Sequence, residues 1–132
     1  MKNITEIFKL LSDEHRLRIL MLLNNKELSV CQVMGITGSS QSLTSRNISL
    51  LNRGGFLAER RAGKLRFYSI SKDLSGKKKA LLKQLQTMVK SDKRYMEDLL
   101  TLKECTAFQK KAGKCDMKTL QEFMRINKEK NK

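Results

Sequence analysis

The sequence predicts a mainly α-helical domain that carries one small β-hairpin. Apolar residues recur at helical spacing along most of the chain, and the 132 residues include no proline and only 7 glycines. A glycine turn at Ala62-Gly63-Lys64 separates two short runs that are typical of strands. We expect one domain, in which residues 1–73 form the core and residues 74–132 form a long dimerisation helix and a C-terminal helix.

The first three helices follow from apolar spacing and from residues that favour helix ends. Apolar residues predict a short amphipathic helix from about residue 3 to residue 11: Ile4, Ile7, Phe8 and Leu11. Ser12 or Asp13 is expected to cap the next helix, whose sequence RLRILMLLNN is apolar nearly all round and therefore belongs in the core. Leu28 lies in a short extended link, and Ser29 is a good N-cap for a two-turn helix that ends at the Thr37-Gly38 turn.

The fourth helix is predicted from about Ser40 to Arg53, and its two faces differ in chemistry. Thr44, Ile48 and Leu51 follow i, i+4, i+7 spacing and should face the core. Another face carries short polar residues and one arginine: Gln41, Ser42, Ser45, Arg46 and Ser49. The Gly54-Gly55 pair should end the helix.

Residues 57–70 are predicted to form a β-hairpin with a basic tip. Its cations are Arg60, Arg61, Lys64 and Arg66. Phe67 and Tyr68 alternate along the second strand, and we expect both rings to pack rather than to stack on bases.

From Leu74 onward the pattern predicts one long helix. Apolar residues follow spacing similar to the a and d positions of a coiled coil, interrupted only by Asp92. We assign part of this stripe to a dimer interface: Leu85, Met88, Tyr95, Leu99 and Leu102. The stripe is longer than the core of so small a domain can cover, so a second copy of the chain is the simpler partner. Gly113 should break the helix before a final one.

The charge balance indicates a polyanionic partner. The chain has 28 Lys+Arg against 13 Asp+Glu, which gives a formal net charge of +15. A short helix, a tight turn and a second helix with separate inner and outer faces match the geometry that places a helix in the DNA major groove. Gln pairs with adenine and Arg with guanine, while cations on the hairpin can hold phosphate. We therefore predict DNA contacts from Gln41, Ser42, Ser45, Arg46, Ser49, Arg60, Arg61, Lys64 and Arg66.

The chain resembles the ArsR/SmtB family of winged helix-turn-helix repressors over roughly residues 5 to 71. DEHRLRIL is similar to the family's buried second helix and ELSVCQV to its metal-motif segment. SQSLTSRNISLL resembles its recognition helix and GGFLAERRAGKLRFYSI its wing, and the four segments occur in the family's order. The resemblance implies a symmetric dimer joined by its first and last helices. Such a dimer binds a palindromic operator in double-stranded DNA and represses transcription until an effector releases it.

The residues that sense an effector in this family are not reproduced intact here. Where the arsenic- and cadmium-sensing branch has CVC, this chain has Ser29-Val30-Cys31, so one of the two thiols is missing. The zinc- and nickel-sensing branch uses carboxylates and histidines on the last long helix, but the one histidine here is His15. The persulfide-sensing branch carries a thiol within the second helix, where this chain has Met21. The resemblance therefore leaves the effector open.

The three cysteines are candidates for a thiol sensor. Cys105 and Cys115 flank the predicted helix break, and their sulfurs can meet if the chain turns back. Nearby lysines favour thiolates, and Cys31 follows an N-cap, where the helix dipole also favours them. The pair can act as a disulfide or as two ligands of a thiophilic ion such as As(III), so the cofactor stays open between such an ion and none. Packing as small hydrophobic residues is the alternative for all three.

Other classes of protein fit the sequence less well. A thiol enzyme needs a base beside a cysteine, and the chain has one histidine and no Cys-x-x-Cys, so we expect no enzyme. A regulator with no metal response and an architectural DNA-binding protein stay as alternatives. No apolar run approaches the roughly 20 residues that span a bilayer, which predicts a cytoplasmic protein with no membrane partner.

Overall fold

The computed structural model describes residues 1–112 and 122–126 of the protein, and residues 1–112 form six helices and three short strands. The elements are α1 (Lys2–Leu11), α2 (Glu14–Asn25), β1 (Leu28–Ser29), α3 (Val30–Thr37), α4 (Gln41–Arg53), β2 (Leu57–Ala62), β3 (Leu65–Ile70), α5 (Gly76–Val89) and α6 (Lys93–Ala112). Residues 122–126 are also helical. The mainly helical fold with one small hairpin is as predicted.

Helix α2 is the centre of the core. Its consecutive residues from Ile19 to Leu23 are all buried, which requires neighbours on every side of the helix. Those neighbours are α1, α3, α4, α6 and strand β3. The prediction that this apolar segment belongs in the core is confirmed.

Side-chain caps fix where the helices of the N-terminal half begin. The Asp13 carboxylate accepts a hydrogen bond from the Arg16 backbone N–H at 3.0 Å and caps α2. Ser29 caps α3 through the Gln32 N–H, and the Gln32 side chain accepts in return from the Ser29 N–H, which makes a capping box. Ser40 caps α4. Of the two candidates for the cap of α2, the structure selects Asp13, and Ser29 caps α3 as predicted.

The strands form one antiparallel sheet in the order β1-β3-β2. The hairpin turns at Gly63, whose φ of 62° lies in the left-handed region that favours glycine. Strand β1 was predicted only as an extended link, but Leu28 and Ser29 pair with Tyr68 and Phe67 of β3. A two-residue strand has no alternation of its own, so only its partner reveals it.

The prediction of one long helix after Leu74 is wrong, because α5 ends at Val89 and α6 begins at Lys93. The carboxylate of Asp92 accepts a hydrogen bond from the Tyr95 backbone N–H at 3.1 Å and so begins a new helix. Asp92 was recognised as an interruption of the apolar stripe. Its role as a cap converts that interruption into a helix boundary.

The break lets α6 fold back onto α2 and α3 of the same chain. Tyr95 is only 8% exposed, and its hydroxyl accepts hydrogen bonds from Asn25 and Gln86. Its assignment to a dimer interface is therefore wrong, since the ring belongs to the chain's own core. Of the other predicted interface residues, Leu85, Leu99 and Leu102 are half-buried against the same core, whereas Met88 is 66% exposed.

A buried ion pair holds α6 to α2. Arg18 donates two hydrogen bonds of 2.9 Å to the two carboxylate oxygens of Asp98, whose side chain is 4% exposed. These hydrogen bonds raise the pKa of Arg18, although burial acts in the opposite direction.

Among the residues described, no helix is long and apolar enough to cross a membrane.

Candidate nucleic-acid interface

Helices α3 and α4 form a helix-turn-helix pair on the outside of the core. Helix α3 ends at Gly38, whose φ of 74° makes a left-handed cap, and Ser40 already caps α4. The turn is therefore only three residues long, 38–40. Such a tight connection packs the two helices against each other and leaves the outer side of α4 uncovered.

The two faces of α4 separate as the sequence predicts. Thr44, Ile48 and Leu51 are at most 2% exposed and face the core. The residues predicted to contact DNA are all exposed: Gln41, Ser42, Ser45, Arg46 and Ser49. One of them has an internal contact, since the Arg53 guanidinium donates to the Ser49 hydroxyl at 3.4 Å. The exposed face thus presents an amide, hydroxyls and a guanidinium side by side.

Two further positions on α4 show how closely this helix is packed. Asn47 is 3% exposed and turns inward, while Leu43 is 41% exposed and lies beside the polar face. The Thr44 hydroxyl is buried and has no hydrogen-bond partner among the described residues. A buried hydroxyl without a partner costs stability, and the sequence gives no sign of it because threonine at this spacing looks like a packing residue.

The hairpin, which we call the wing (residues 57–70), divides its cations between two faces. Arg61 and Arg66 are directly opposite each other in the β2–β3 register, so their side chains share one face. Arg60 precedes Arg61 and therefore points to the other face. Arg66 pairs with Glu59 at 3.5 Å, whereas Arg61 and Lys64 make no ion pair within the described part of the chain.

Arg60 is tied to the body of the domain rather than extended into solvent. Its guanidinium donates to both carboxylate oxygens of Glu27, with an Nη2–Oε1 distance of 2.7 Å. It also stacks over the Phe67 ring at 4.7 Å from the ring centroid. The hydrogen bonds lower the pKa of Glu27 and raise that of Arg60. Phe67 packs as predicted, and so does Tyr68, which is 8% exposed.

The cysteines that the structure describes lie on two helices in contact, α3 and α6. Cys31, in the first turn of α3, is half-buried, and Cys105 of α6 is 1% exposed. The two helices are joined near these positions by a 2.9 Å hydrogen bond from Gln32 to Gln109. Cys115 lies outside the described residues, so its predicted pairing with Cys105 stays a prediction.

The described helical segment 122–126 lies against α6. The rings of Phe108 and Phe123 lie 5.5 Å apart, so the helical segment 122–126 packs against α6. No group of three or more His, Cys, Asp or Glu side chains suited to a metal occurs among residues 1–112 and 122–126.

Sequence reasoning missed two pairs that position these elements. The Arg18–Asp98 and Arg60–Glu27 pairs join residues that are 80 and 33 positions apart in the chain. Opposite charges are frequent in any sequence, and only the folded chain shows which ones meet. The chain has 28 Lys+Arg for 13 Asp+Glu, so the sequence offers several possible cationic partners for each carboxylate.

Comparison with known proteins agrees with this architecture. The sequence pattern of the bacterial regulatory proteins of the arsR family matches residues 13–59. The arsenical resistance operon repressor of Escherichia coli K12 is 40% identical over 67 residues, which is 50% of this chain and 57% of that repressor. The chain thus spans little more than half the length of the curated relatives it matches.

Solved structures extend the similarity to the whole winged helix-turn-helix unit. HlyU from Vibrio cholerae N16961, in its reduced form, superposes with a TM-score of 0.58 at 30% identity, over 66% of this chain and 88% of that one. A homodimeric winged helix-turn-helix DNA-binding domain from Mycobacterium bovis, described as a possible ArsR-family regulator, gives 0.57 at 26% identity, over 70% and 82%. With the fold, the order of elements and the sequence in agreement, the chain belongs to the ArsR family of bacterial regulatory proteins.

Proposed function

We propose that this protein is a sequence-specific DNA-binding transcriptional regulator that acts as a homodimeric repressor. The observation that carries the proposal is the division of α4 into a buried apolar face and an exposed face of Gln, Ser and Arg side chains. A helix with this division can pack on its own domain and still enter the major groove. The Escherichia coli relative is named a repressor, which supports the direction of regulation.

Base reading is assigned to the first half of α4. Gln41 can form two hydrogen bonds to adenine, and Arg46 can form two to guanine. The hydroxyls of Ser42 and Ser45 allow close approach to phosphates, and Ser49 extends the same face. This arrangement favours sequence-specific over purely electrostatic binding.

The tip of the wing is assigned to the phosphate backbone. Two arginines directly opposite each other on a hairpin destabilise it, because like charges repel across strands. Arg61 and Arg66 are in this position, and of the two only Arg66 has an ion pair among the described residues, with Glu59 at 3.5 Å. Phosphates placed between these cations relieve the repulsion, and Lys64 at the turn adds a third cation.

The dimer interface is assigned to α1 and α5. The exposed apolar residues Ile4 and Phe8 of α1 are 45% and 59% exposed, and Met88 of α5 is 66% exposed. A groove of about 910 Å³ runs between the two helices and is lined by Ile7, Phe8 and Leu81. A second copy is the proposed occupant, since the Mycobacterium bovis neighbour is homodimeric. Two recognition helices then reach half-sites about 34 Å apart in a palindromic operator.

The effector is proposed to be a thiophilic ion or a thiol oxidant. Cys31 and Cys105 lie on the two helices that pack together, so a change at either thiol acts on the helix-turn-helix unit through α3. The name of the Escherichia coli relative, an arsenical resistance repressor, supports a soft ion such as As(III). Cys115 stays a candidate third thiol.

The specificity of the regulator is tested with Arg46→Ala. An operator is first selected from random duplexes, and the dissociation constant is then measured on the operator and on a scrambled duplex. We expect the substitution to weaken operator binding by about 1–3 kcal/mol and scrambled binding by much less. The charge-matched control is Lys103→Ala, an exposed cation of α6 that should change neither constant. Equal losses on both duplexes would support an architectural DNA-binding protein instead.

The effector is tested by adding arsenite or a mild oxidant to the protein–operator complex. We expect DNA release from the wild type and a reduced response from Cys105→Ser/Cys115→Ser. Cys31→Ser, tested alone, reports whether the α3 thiol takes part. Because Cys105 is buried, unfolding curves of each variant are needed to show that it is folded. An undiminished response in all the variants would assign the cysteines to packing alone.

A further inference from the structure

We infer that Glu27, Arg60 and Phe67 form a bridge that fixes the direction of the wing, so that Arg60 positions the wing and does not bind phosphate. The inference rests on the proposed DNA-binding function and concerns how its second contact surface is held. It reassigns Arg60, which the sequence alone groups with the three cations at the tip.

The sheet register places Arg60 and Phe67 on neighbouring strands, and Glu27 lies just before the third strand. Phe67 of β3 is paired with Arg60 of β2 on one side and with Ser29 of β1 on the other. Glu27 precedes Ser29 by two residues in the extended segment that leads from α2 into β1. The guanidinium of Arg60 therefore lies over the ring of the central strand and meets a carboxylate that belongs to the body of the domain.

The Arg60 and Glu27 side chains are 56% and 36% exposed, so any restraint on the wing comes from the geometry of their contacts and not from burial. The guanidinium makes three hydrogen bonds to Glu27 of 2.7, 3.1 and 3.2 Å, and its central carbon is 4.7 Å from the centroid of the Phe67 ring. Bidentate hydrogen bonding and stacking together restrict a side chain that would otherwise sample many rotamers. A hairpin that is held in one direction loses less conformational entropy when it binds DNA.

The same contacts make Arg60 a poor phosphate ligand. Its charge is compensated by Glu27, and it lies on the opposite face of the wing from Arg61 and Arg66. Releasing Arg60 to bind DNA would require the Glu27 pair to break. The tip cations Arg61 and Lys64 make no such pair in the described part of the chain, so they are free to bind phosphate.

The decisive test is Glu27→Gln, because the two roles predict opposite signs. If Arg60 positions the wing, removing its anchor weakens binding to a mixed-sequence duplex of roughly 40 base pairs by about threefold to tenfold, despite the loss of a negative charge. If Arg60 is a phosphate ligand held back by Glu27, the substitution frees it and tightens binding. Glu59→Gln is the matched control, since Glu59 pairs with Arg66 on the other face. Binding by this control should be unchanged or tighter.

A second pair of variants separates charge from geometry. Arg60→Lys keeps the charge but loses the bidentate contact and the stacking on Phe67. We expect it to weaken binding as much as Arg60→Ala, with the slope of log K against log salt unchanged in both. Lys64→Ala should instead flatten this slope by about one unit. Binding retained in Arg60→Lys, or a flattened slope in Arg60→Ala, would overturn the inference.

Hydrogen exchange in the DNA-free protein makes the result independent of the proposed function. Glu27→Gln should speed exchange of the β2 and β3 amides while leaving those of α2 and α4 unchanged, which also shows that the variant is folded. Unchanged exchange in the wing would overturn the bridge itself. If the wild type binds no DNA but the wing amides respond to Glu27→Gln, the proposed function fails and the bridge stands as a structural link.

Discussion

At the scale of single residues, Thr44 is the position where packing and polarity conflict. Its hydroxyl is buried in the centre of α4 with no hydrogen-bond partner in the described chain, while its methyl group packs with the core. Valine has the same shape and no hydroxyl. Thr44→Val should therefore raise the free energy of unfolding by about 1 kcal/mol, measured by denaturant titration.

Thr37→Val is the control for this prediction. The Thr37 hydroxyl donates to the Val33 carbonyl at 2.9 Å, so the same substitution there removes a hydrogen bond that is formed. We expect a loss of about 1 kcal/mol at Thr37. If Thr44→Val lowers stability as Thr37→Val does, the Thr44 hydroxyl has a partner, such as a water molecule, in solution.

Residues that cap helices could be predicted from the sequence, whereas ion pairs between distant residues could not. Ser29 was identified as a cap, and Asp13 as one of two candidates, because such side chains act on backbone only three residues away. The exposed face of α4 followed from helical periodicity in the same local way. Glu27 and Arg60 carry no local signal, since their contact depends on how three strands align.

At the scale of elements, the Arg18–Asp98 pair fastens α6 to the core. Removing the negative partner leaves a guanidinium in a largely buried place, so Asp98→Asn should lower the free energy of unfolding by about 2–3 kcal/mol. Faster hydrogen exchange along α6 should accompany this loss. Chemical denaturation together with exchange measurements on the same variant checks both expectations.

Glu97→Gln is the matched control on the same helix. Glu97 pairs with Arg94 at 3.3 Å, but both side chains are about half exposed, at 44% and 54%. Such pairs contribute little, and we expect a change within about 0.5 kcal/mol. Equal effects of the two substitutions would mean that the buried pair adds nothing beyond surface charge.

The helices of the C-terminal half show the limit of periodicity as a guide. An a/d stripe reports that one side of a helix is covered, but not whether a second copy or the chain's own core covers it. Tyr95 and Leu99 satisfy the pattern and pack within the chain. The chain breaks into two helices because Asp92 caps α6. The sequence analysis treated Asp92 only as an interruption of the apolar stripe.

At the scale of the whole molecule, the predicted dimer depends on α1 and α5. Phe8→Asp places a charge on the exposed apolar side of α1, which the proposed interface brings against its own copy in the partner. We expect monomers by sedimentation at micromolar concentration, and a large loss of operator affinity because a single recognition helix cannot span both half-sites.

Leu100→Asp is the corresponding control on α6. Leu100 is 63% exposed, slightly more than Phe8 at 59%, but it lies on the helix that folds back onto the core. This variant should stay dimeric and keep its operator affinity. Monomers from Leu100→Asp and dimers from Phe8→Asp would move the interface to α6, close to the residues first assigned from the sequence.

The interruption at residues 90–92 has a consequence for allosteric coupling. It divides the C-terminal half into α5, which carries the proposed seam between protomers, and α6, which carries Cys105 and contacts α3. A single continuous helix would transmit a displacement of the Cys105 thiol directly to the dimer interface. The distance between the two α4 helices of the dimer would then change. Because the helix is divided, a displacement at Cys105 acts first on the helix-turn-helix unit of its own subunit, through the contact between α6 and α3. We therefore expect the effector to reorient the helix-turn-helix unit of each subunit separately, while the protein leaves the DNA as an intact dimer.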